Sequence, residues 1–216
     1  MCVSRAVSIV VLLAFIACAG DALGQTTLVA NLNNFNEPSG GVLGTLMPTL
    51  TTGEPRPASF GTATFTLSAD MMSMTMVAEI NNIDFTGSQT ADTNDNLAAA
   101  HIHAGPSVTA TTTGGVVWGF FGAPFHDNNP NDQVVTPFAS GVGGTITGKW
   151  DAPEGNSTTL AAQLDHILNG RAYVNFHTSQ FGGGEIRGTI LVVPEPGTIL
   201  LALFGATVCL SRRPTR

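Results

Sequence analysis

Between residues 60 and 80 apolar side chains recur at every second position, a period that fits a half-buried strand and not a helix. Ala63, Phe65 and Leu67 alternate with Thr62, Thr64 and Thr66, and after Ser68-Ala69-Asp70 the run Met72, Met74, Met76, Ala78, Ile80 alternates again. The pattern predicts two strands joined by a tight turn. Six more segments carry strand signals: Thr27 to Leu32, Ala99 to Ala104, Val116 to Phe121, Gly144 to Trp150, Ala172 to Thr178 and Glu185 to Val192. So many short strands predict an all-β sandwich or small barrel. One stretch reads as a short connecting helix, with Leu160, Leu164, Ile167 and Leu168 on one stripe, Ser157 or Thr158 as N-cap and Gly170 as the stop. Residues 33–58, 86–97, 105–115 and 122–143 read as long loops rich in Gly, Thr, Asn and Pro. Loops of that length carry function or move.

Cys2, Cys18 and Cys209 all lie outside residues 25–193. The central segment therefore has no disulfide, thiolate metal site or cysteine nucleophile, and packing alone must hold it. It carries four cations, Arg56, Lys149, Arg171 and Arg187, against thirteen carboxylates, a net charge of −9. Nucleic acid is excluded as a partner on that balance.

Residues 1–24 read as a secretory signal: Arg5, the apolar run Val7 to Ala19, then Ala22-Leu23-Gly24 with small residues where a signal peptidase cuts before Gln25. An uncleaved anchor and a lipoprotein signal ending at Cys18 are the alternatives. Residues 25–193 form the exported domain, and residues 194–216 follow a different logic. Pro194-Glu195-Pro196 precedes an apolar segment, Thr198 to Leu210, and a basic end containing Arg212 and Arg213. This layout resembles the PEP-CTERM sorting signal of Gram-negative bacteria that make exopolysaccharide. The resemblance implies a transient partner, an exosortase-type membrane protease, processing near the Pro-Glu-Pro, and arginines held on the cytoplasmic side of the membrane. A plain membrane anchor is the alternative reading of this tail, although 13 apolar residues span only about 20 Å as helix.

The chemistry-bearing residues cluster in two segments. In Ala100-His101-Ile102-His103-Ala104, strand parity puts both histidines on one face and Ile102 on the other. In Tyr173-Val174-Asn175-Phe176-His177, Val174 and Phe176 oppose Tyr173, Asn175 and His177; further on, Glu185 and Arg187 flank Ile186. With Ile102, Val174, Phe176 and Ile186 in the core, parity predicts His101, His103, His177, Glu185 and Arg187 on outward faces, where they converge. Two readings stay open. In one, the three histidines form a hydrogen-bonded network with Asn175, Glu185 and Arg187. In the other, His101, His103, His177 and Glu185 bind Cu or Zn, since neutral imidazole suits both ions. Weaker candidates are a thioether copper site at Met71, Met72, Met74 and Met76, more simply core, and a calcium loop at Asp92 and Asp95. His126 and His166 read as solvated, and no Gly-x-Ser-x-Gly elbow supports serine catalysis.

The His-x-His-x-Gly at 101–105, the Asn-x-His-Thr at 175–178, Gly-Glu-Ile-Arg-Gly at 184–188, Asn36-Glu37-Pro38 and Gly114-Gly115-Val116-Val117 together resemble the CHRD domain. That domain occurs in the vertebrate morphogen antagonist chordin and in many bacterial exported proteins. The resemblance spans most of residues 28–191 and implies an immunoglobulin-like or superoxide-dismutase-like sandwich or barrel. A looser likeness to copper–zinc superoxide dismutases rests on the His-x-His strand and a third histidine, but their bridging histidine and further zinc ligands have no match. The expectation is a surface-sorted structural or binding module of the cell envelope or extracellular matrix, not an enzyme, with extracellular polysaccharide or other envelope proteins as partners. The rival expectation is a Cu/Zn metalloprotein with redox activity.

Overall fold

A computed structural model describes residues 24–194. Ten antiparallel strands form one sheet in the order β5-β4-β8-β9-β1-β2-β3-β7-β6, with β10 also on β1. In chain order they are β1 (Thr26–Asn33), β2 (Phe60–Leu67), β3 (Ser73–Asn81), β4 (Leu97–Ala104), β5 (Gly115–Phe121), β6 (Val134–Pro137), β7 (Gly143–Asp151), β8 (Ala172–Thr178), β9 (Ile186–Thr189) and β10 (Leu191–Val192). One helix, α1 (Leu160–Leu168), connects β7 to β8. The all-β expectation with a single short helix is met.

The β2–β3 hairpin follows from its alternation: Ala63, Phe65, Leu67, Met74, Met76, Ala78 and Ile80 are all buried. Met71 and Met72 lie before β3 and stay exposed, so the methionines divide between core and turn rather than grouping. The sheet curls until its two ends face each other. Trp118 of β5 stacks on Trp150 of β7 with ring centroids 5.7 Å apart and planes 1° from parallel. Glu154 clamps both indoles, Trp150 donating to its backbone oxygen at 2.8 Å and Trp118 to its carboxylate at 3.3 Å. Two large aromatics thus replace a ladder of hydrogen bonds as the seam between the sheet's ends.

The C-terminal strand joins the two halves. β9 pairs with β8 from Tyr173↔Thr189 to Phe176↔Ile186, and touches β1 at Asn33↔Arg187. β10 pairs with β1 at Leu28↔Val192 and Val29↔Leu191. β9 and β1 stay close between these contacts, a Cβ at Gly188 falling 2.7 Å from the Asn31 carbonyl. A cleft of about 260 Å³ lies on the face of these strands, lined by Asn31, Asn36, Arg187 and Thr189 among others.

Three elements differ from the sequence reading. The strand expected over Glu185 to Val192 is two, β9 and β10, interrupted at Ile190. β6 lies inside the segment read as the loop 122–143; at four residues, with no buried side chain, it offers no alternation to detect. α1 is capped by Thr159, whose hydroxyl accepts from the Ala162 N–H, and not by Ser157 or Thr158 as expected. Among the described residues no helix is long and apolar enough to cross a membrane. The signal segment up to residue 23, Glu195, Pro196, the apolar segment, Arg212 and Arg213 lie outside the described residues, whereas Pro194 is described and exposed.

Candidate functional site

β4 and β8 are neighbours, with His101 opposite Asn175, His103 opposite Tyr173 and Ala99 opposite His177. Because Ile102, Val174 and Phe176 fill the core, the alternate residues of both strands share the other face. Parity is as expected, but that face is not solvent. His101 is 4% and His177 8% exposed, and Asn175 and Arg187 are buried too. Loops cover the face, which corrects the expectation of outward side chains.

The three imidazoles meet. His101 Nδ1 lies 3.1 Å from His177 Nε2. His177 Nδ1 is 3.0 Å from the Gly182 carbonyl, and His103 Nδ1 is 3.0 Å from that of Gly114. One ring nitrogen from each histidine falls within 4.8 Å of the others. Gly119 of β5 faces His101 in the ladder, and a Cβ there would sit 1.8 Å from the Pro124 carbonyl and 3.0 Å from the His101 ring. The glycine makes room for the imidazole. A glycine inside the apolar run Val116 to Phe121 was the signal for such a close approach.

Beside the histidines stands a column of π contacts. Tyr173 stacks on His103 at 4.7 Å and 4°, and the Arg187 guanidinium lies 3.5 Å from the centroid of the Tyr173 ring. Arg187 Nη2 donates to the carbonyls of Thr109 and Thr112, which ties the loop after β4 down over the site. Asn175 Nδ2 donates to Glu37, so the loop after β1 is fastened to the same face. Tyr173, Glu37, Thr109 and Thr112 join the site in addition to the residues expected from sequence. Tyr173 shares the histidine parity, but two loop carbonyls leave no mark in a sequence.

Glu185 is not brought to the histidines. It precedes β9, so strand parity does not govern it, and its carboxylate accepts from Arg56, Ser59 and, at 2.6 Å, Thr178. Thr178 has the parity of Phe176, and Glu185 is fully buried at that end of the sheet. Its partner Arg56 was counted in the sequence only as charge. The ion pair staples the residues before β2 to the β8–β9 turn. Asp92 likewise holds a loop, accepting from the Thr51 N–H at 2.8 Å. His126 accepts from the Gly119 N–H at 3.2 Å, and His166 Nδ1 accepts from Arg171 Nε at 3.3 Å.

The electrostatics follow from burial. Removal from water, then the neighbouring imidazoles His177 and His103, push His101 down to about 4. Burial, opposed by the Gly114 bond and assisted by His177 and Arg187, does the same to His103, also to about 4. Burial lowers His177 as well. All three rings are therefore neutral near pH 7, the state in which imidazole offers a lone pair. Burial drives the Glu37 carboxyl up to about 7 although Arg187 and the Asn175 bond pull it down.

No curated protein and no solved structure matches the chain. The family model of the CHRD domain matches residues 42–190. That interval contains both histidine strands, the Gly-Gly-Gly-Glu turn and β9, and the chain belongs to the CHRD domain family.

Proposed function

We propose that the chain is an exported, non-catalytic binding or structural module of the cell envelope or extracellular polysaccharide matrix of a Gram-negative-type bacterium. The observation that supports it most is the use made of buried polar groups. Glu185 with Arg56, Asn175 with Glu37, and Arg187 with the Thr109 and Thr112 carbonyls each fasten a long loop onto the sheet. Loops held in this way over a rigid sheet make a shaped, polar surface, the arrangement that recognition modules use. Spending the charges on loop attachment leaves them out of a nucleophile–base pair open to substrate.

Export follows from the signal at residues 1–24. Residues 194–216 then deliver the chain to an exosortase-type protease, with Arg212 and Arg213 holding the segment briefly in the membrane. Mass spectrometry of the protein recovered from its host should find a chain that begins at Gln25 and ends near Pro194–Pro196. The purified protein should be retained on the host's extracellular polysaccharide or envelope fraction, and should not consume superoxide or hydrolyse ester or glycoside reporters. Turnover of any of these would overturn the non-catalytic reading. A mature chain still ending in Arg216 would reduce the tail to an anchor.

A further inference from the structure

We propose that His101, His103 and His177 form a binding site for one late first-row divalent metal ion of the copper–zinc class. The argument begins with the proton inventory of the cluster. A carbonyl oxygen only accepts, so the Gly182 and Gly114 contacts place the proton of His177 and of His103 on Nδ1. Each neutral ring then keeps a lone pair on Nε2. His101 Nδ1 approaches the His177 Nε2 lone pair at 3.1 Å, and that bond exists only if His101 carries its own proton on Nδ1. Three protons are thereby assigned. What remains is a buried lone pair on Nε2 of His101 and another on Nε2 of His103, and neither has a hydrogen-bond partner.

A network that served only to tie strands together would gain nothing from two unpartnered buried acceptors, since each has lost its water for no return. A cation supplies the missing partner at His103 Nε2 directly, and removes the orphan lone pair at His101 by taking its Nδ1 and leaving the proton on Nε2. The ring orientation already suits it: His103 and His177 are each held by an Nδ1–H to a backbone carbonyl, the outer contact that fixes tautomer and direction in histidine ligands. The ion takes Nε2 of His103, Nε2 of His177 and Nδ1 of His101. His101 shifts its proton from Nδ1 to Nε2, which frees the Nδ1 lone pair beside His177 Nε2 for the ion. The three rings stay neutral, and no proton leaves the site.

Distance and donor type set the class of ion. Ligands of a tetrahedral ion with Zn–N bonds of ~2.0–2.1 Å stand about 3.3 Å apart, close to the 3.1 Å of the His101–His177 pair. The third nitrogen lies within 4.8 Å and completes the set by closing inward. Three imidazoles without a carboxylate disfavour Ca²⁺ and Mg²⁺, which demand oxygen. The absence of thiolate and thioether sulfur from the set points to Cu²⁺ or Zn²⁺ rather than to a soft monovalent ion. The Arg187 guanidinium stacks on the Tyr173 ring, 3.5 Å from its centroid, and does not contact the imidazoles.

The test uses the untagged full chain, stripped with chelator, desalted, and with the thiols of Cys2, Cys18 and Cys209 alkylated. ZnCl₂ and CuSO₄ are titrated separately by calorimetry. The expected result is one ion per chain, with affinity lowered at least tenfold by His101→Ala, His103→Ala or His177→Ala and unchanged by His166→Ala. Because an alanine variant can misfold, electron paramagnetic resonance of the copper-loaded unsubstituted chain provides a second reading. It should show hyperfine coupling to three imidazole nitrogens. Absence of stoichiometric binding, binding indifferent to all three substitutions, or a copper signal from oxygen ligands overturns the proposal.

Discussion

His101 and His177 share one hydrogen bond, whereas His103 is held separately by Gly114 and by its stack on Tyr173. Residues in direct contact couple, and residues with separate partners add more nearly. His101→Ala and His177→Ala should each destabilise the metal-free chain by roughly 1–3 kcal/mol. The double variant should cost less than the sum, because either single change already removes their shared bond. A chemical-denaturation cycle checks this, and strict additivity would contradict the direct contact. Glu37 supplies a prediction of opposite electrostatic sense to the histidines. Its folded pKa of about 7 is raised above 4.5, so the folded state binds the extra proton. That stability is present below pH 4.5 and is lost as pH rises through 7. His101 and His103, depressed to about 4, lose stability as pH falls from 6.5 toward 4, since the unfolded chain takes up the protons first. Glu37→Gln removes only the opposing group. Relative to the unsubstituted chain, the variant should gain stability between pH 5 and pH 8, at up to ~1.4 kcal/mol per pH unit. Equal pH dependence of the two proteins would refute the buried, proton-holding Glu37.

Two attachments at the level of whole elements can be broken singly. Arg56 and Glu185 form an ion pair in which Glu185 is fully buried and also takes bonds from Ser59 and Thr178. Removing the cation strands the carboxylate, so Arg56→Ala should cost about 3–5 kcal/mol. Adding Glu185→Gln should recover part of the loss, and thermal unfolding of the single and double variants decides. The β8–β9 turn depends on Gly184, which has φ +128 and would place a Cβ 2.3 Å from Asn175 Nδ2 and 2.9 Å from the Glu37 carboxyl carbon. Gly184→Ala therefore strains the backbone and pushes the Glu37 loop off the sheet. Faster proteolytic nicking within residues 34–58 is the expected readout, and an unchanged cleavage pattern would count against that coupling. The sheet edges show the same economy. On β5 the Val117 and Gly119 carbonyls accept from Asn156 and His126, while β6 is short and ends in Pro137. Covered and proline-terminated edges resist pairing with another chain.

For the molecule as a whole, every member of the hydrophobic core among the described residues lies between Leu28 and Ile190. Residues 25–193 should consequently unfold in one cooperative transition at the same midpoint as the full chain, measured by circular dichroism, and a lower midpoint would mean that the terminal segments contribute packing. Much of this architecture was legible in advance. β8 coincides with the expected Ala172–Thr178, and β2 and β3 fall within the alternating stretch from residue 60 onward. Helix and strand periods are properties of neighbouring residues, and a buried face enforces them locally. The same parity put His101, His103 and His177 on one side before their distances were known. Three things lay beyond it. β6 buries no side chain and so has no pattern to read. Glu185 sits just outside β9, where alternation ceases to direct a side chain, and it pairs with Arg56 at a separation of 129 residues. The burial of the histidines was decided by Gly114, Thr109, Thr112 and Glu37, on loops whose sequence holds no period. Alternation determines which side of a strand a residue faces; only long-range hydrogen bonds and charge pairs, set when the loops close over the curled sheet, determine whether that side meets water.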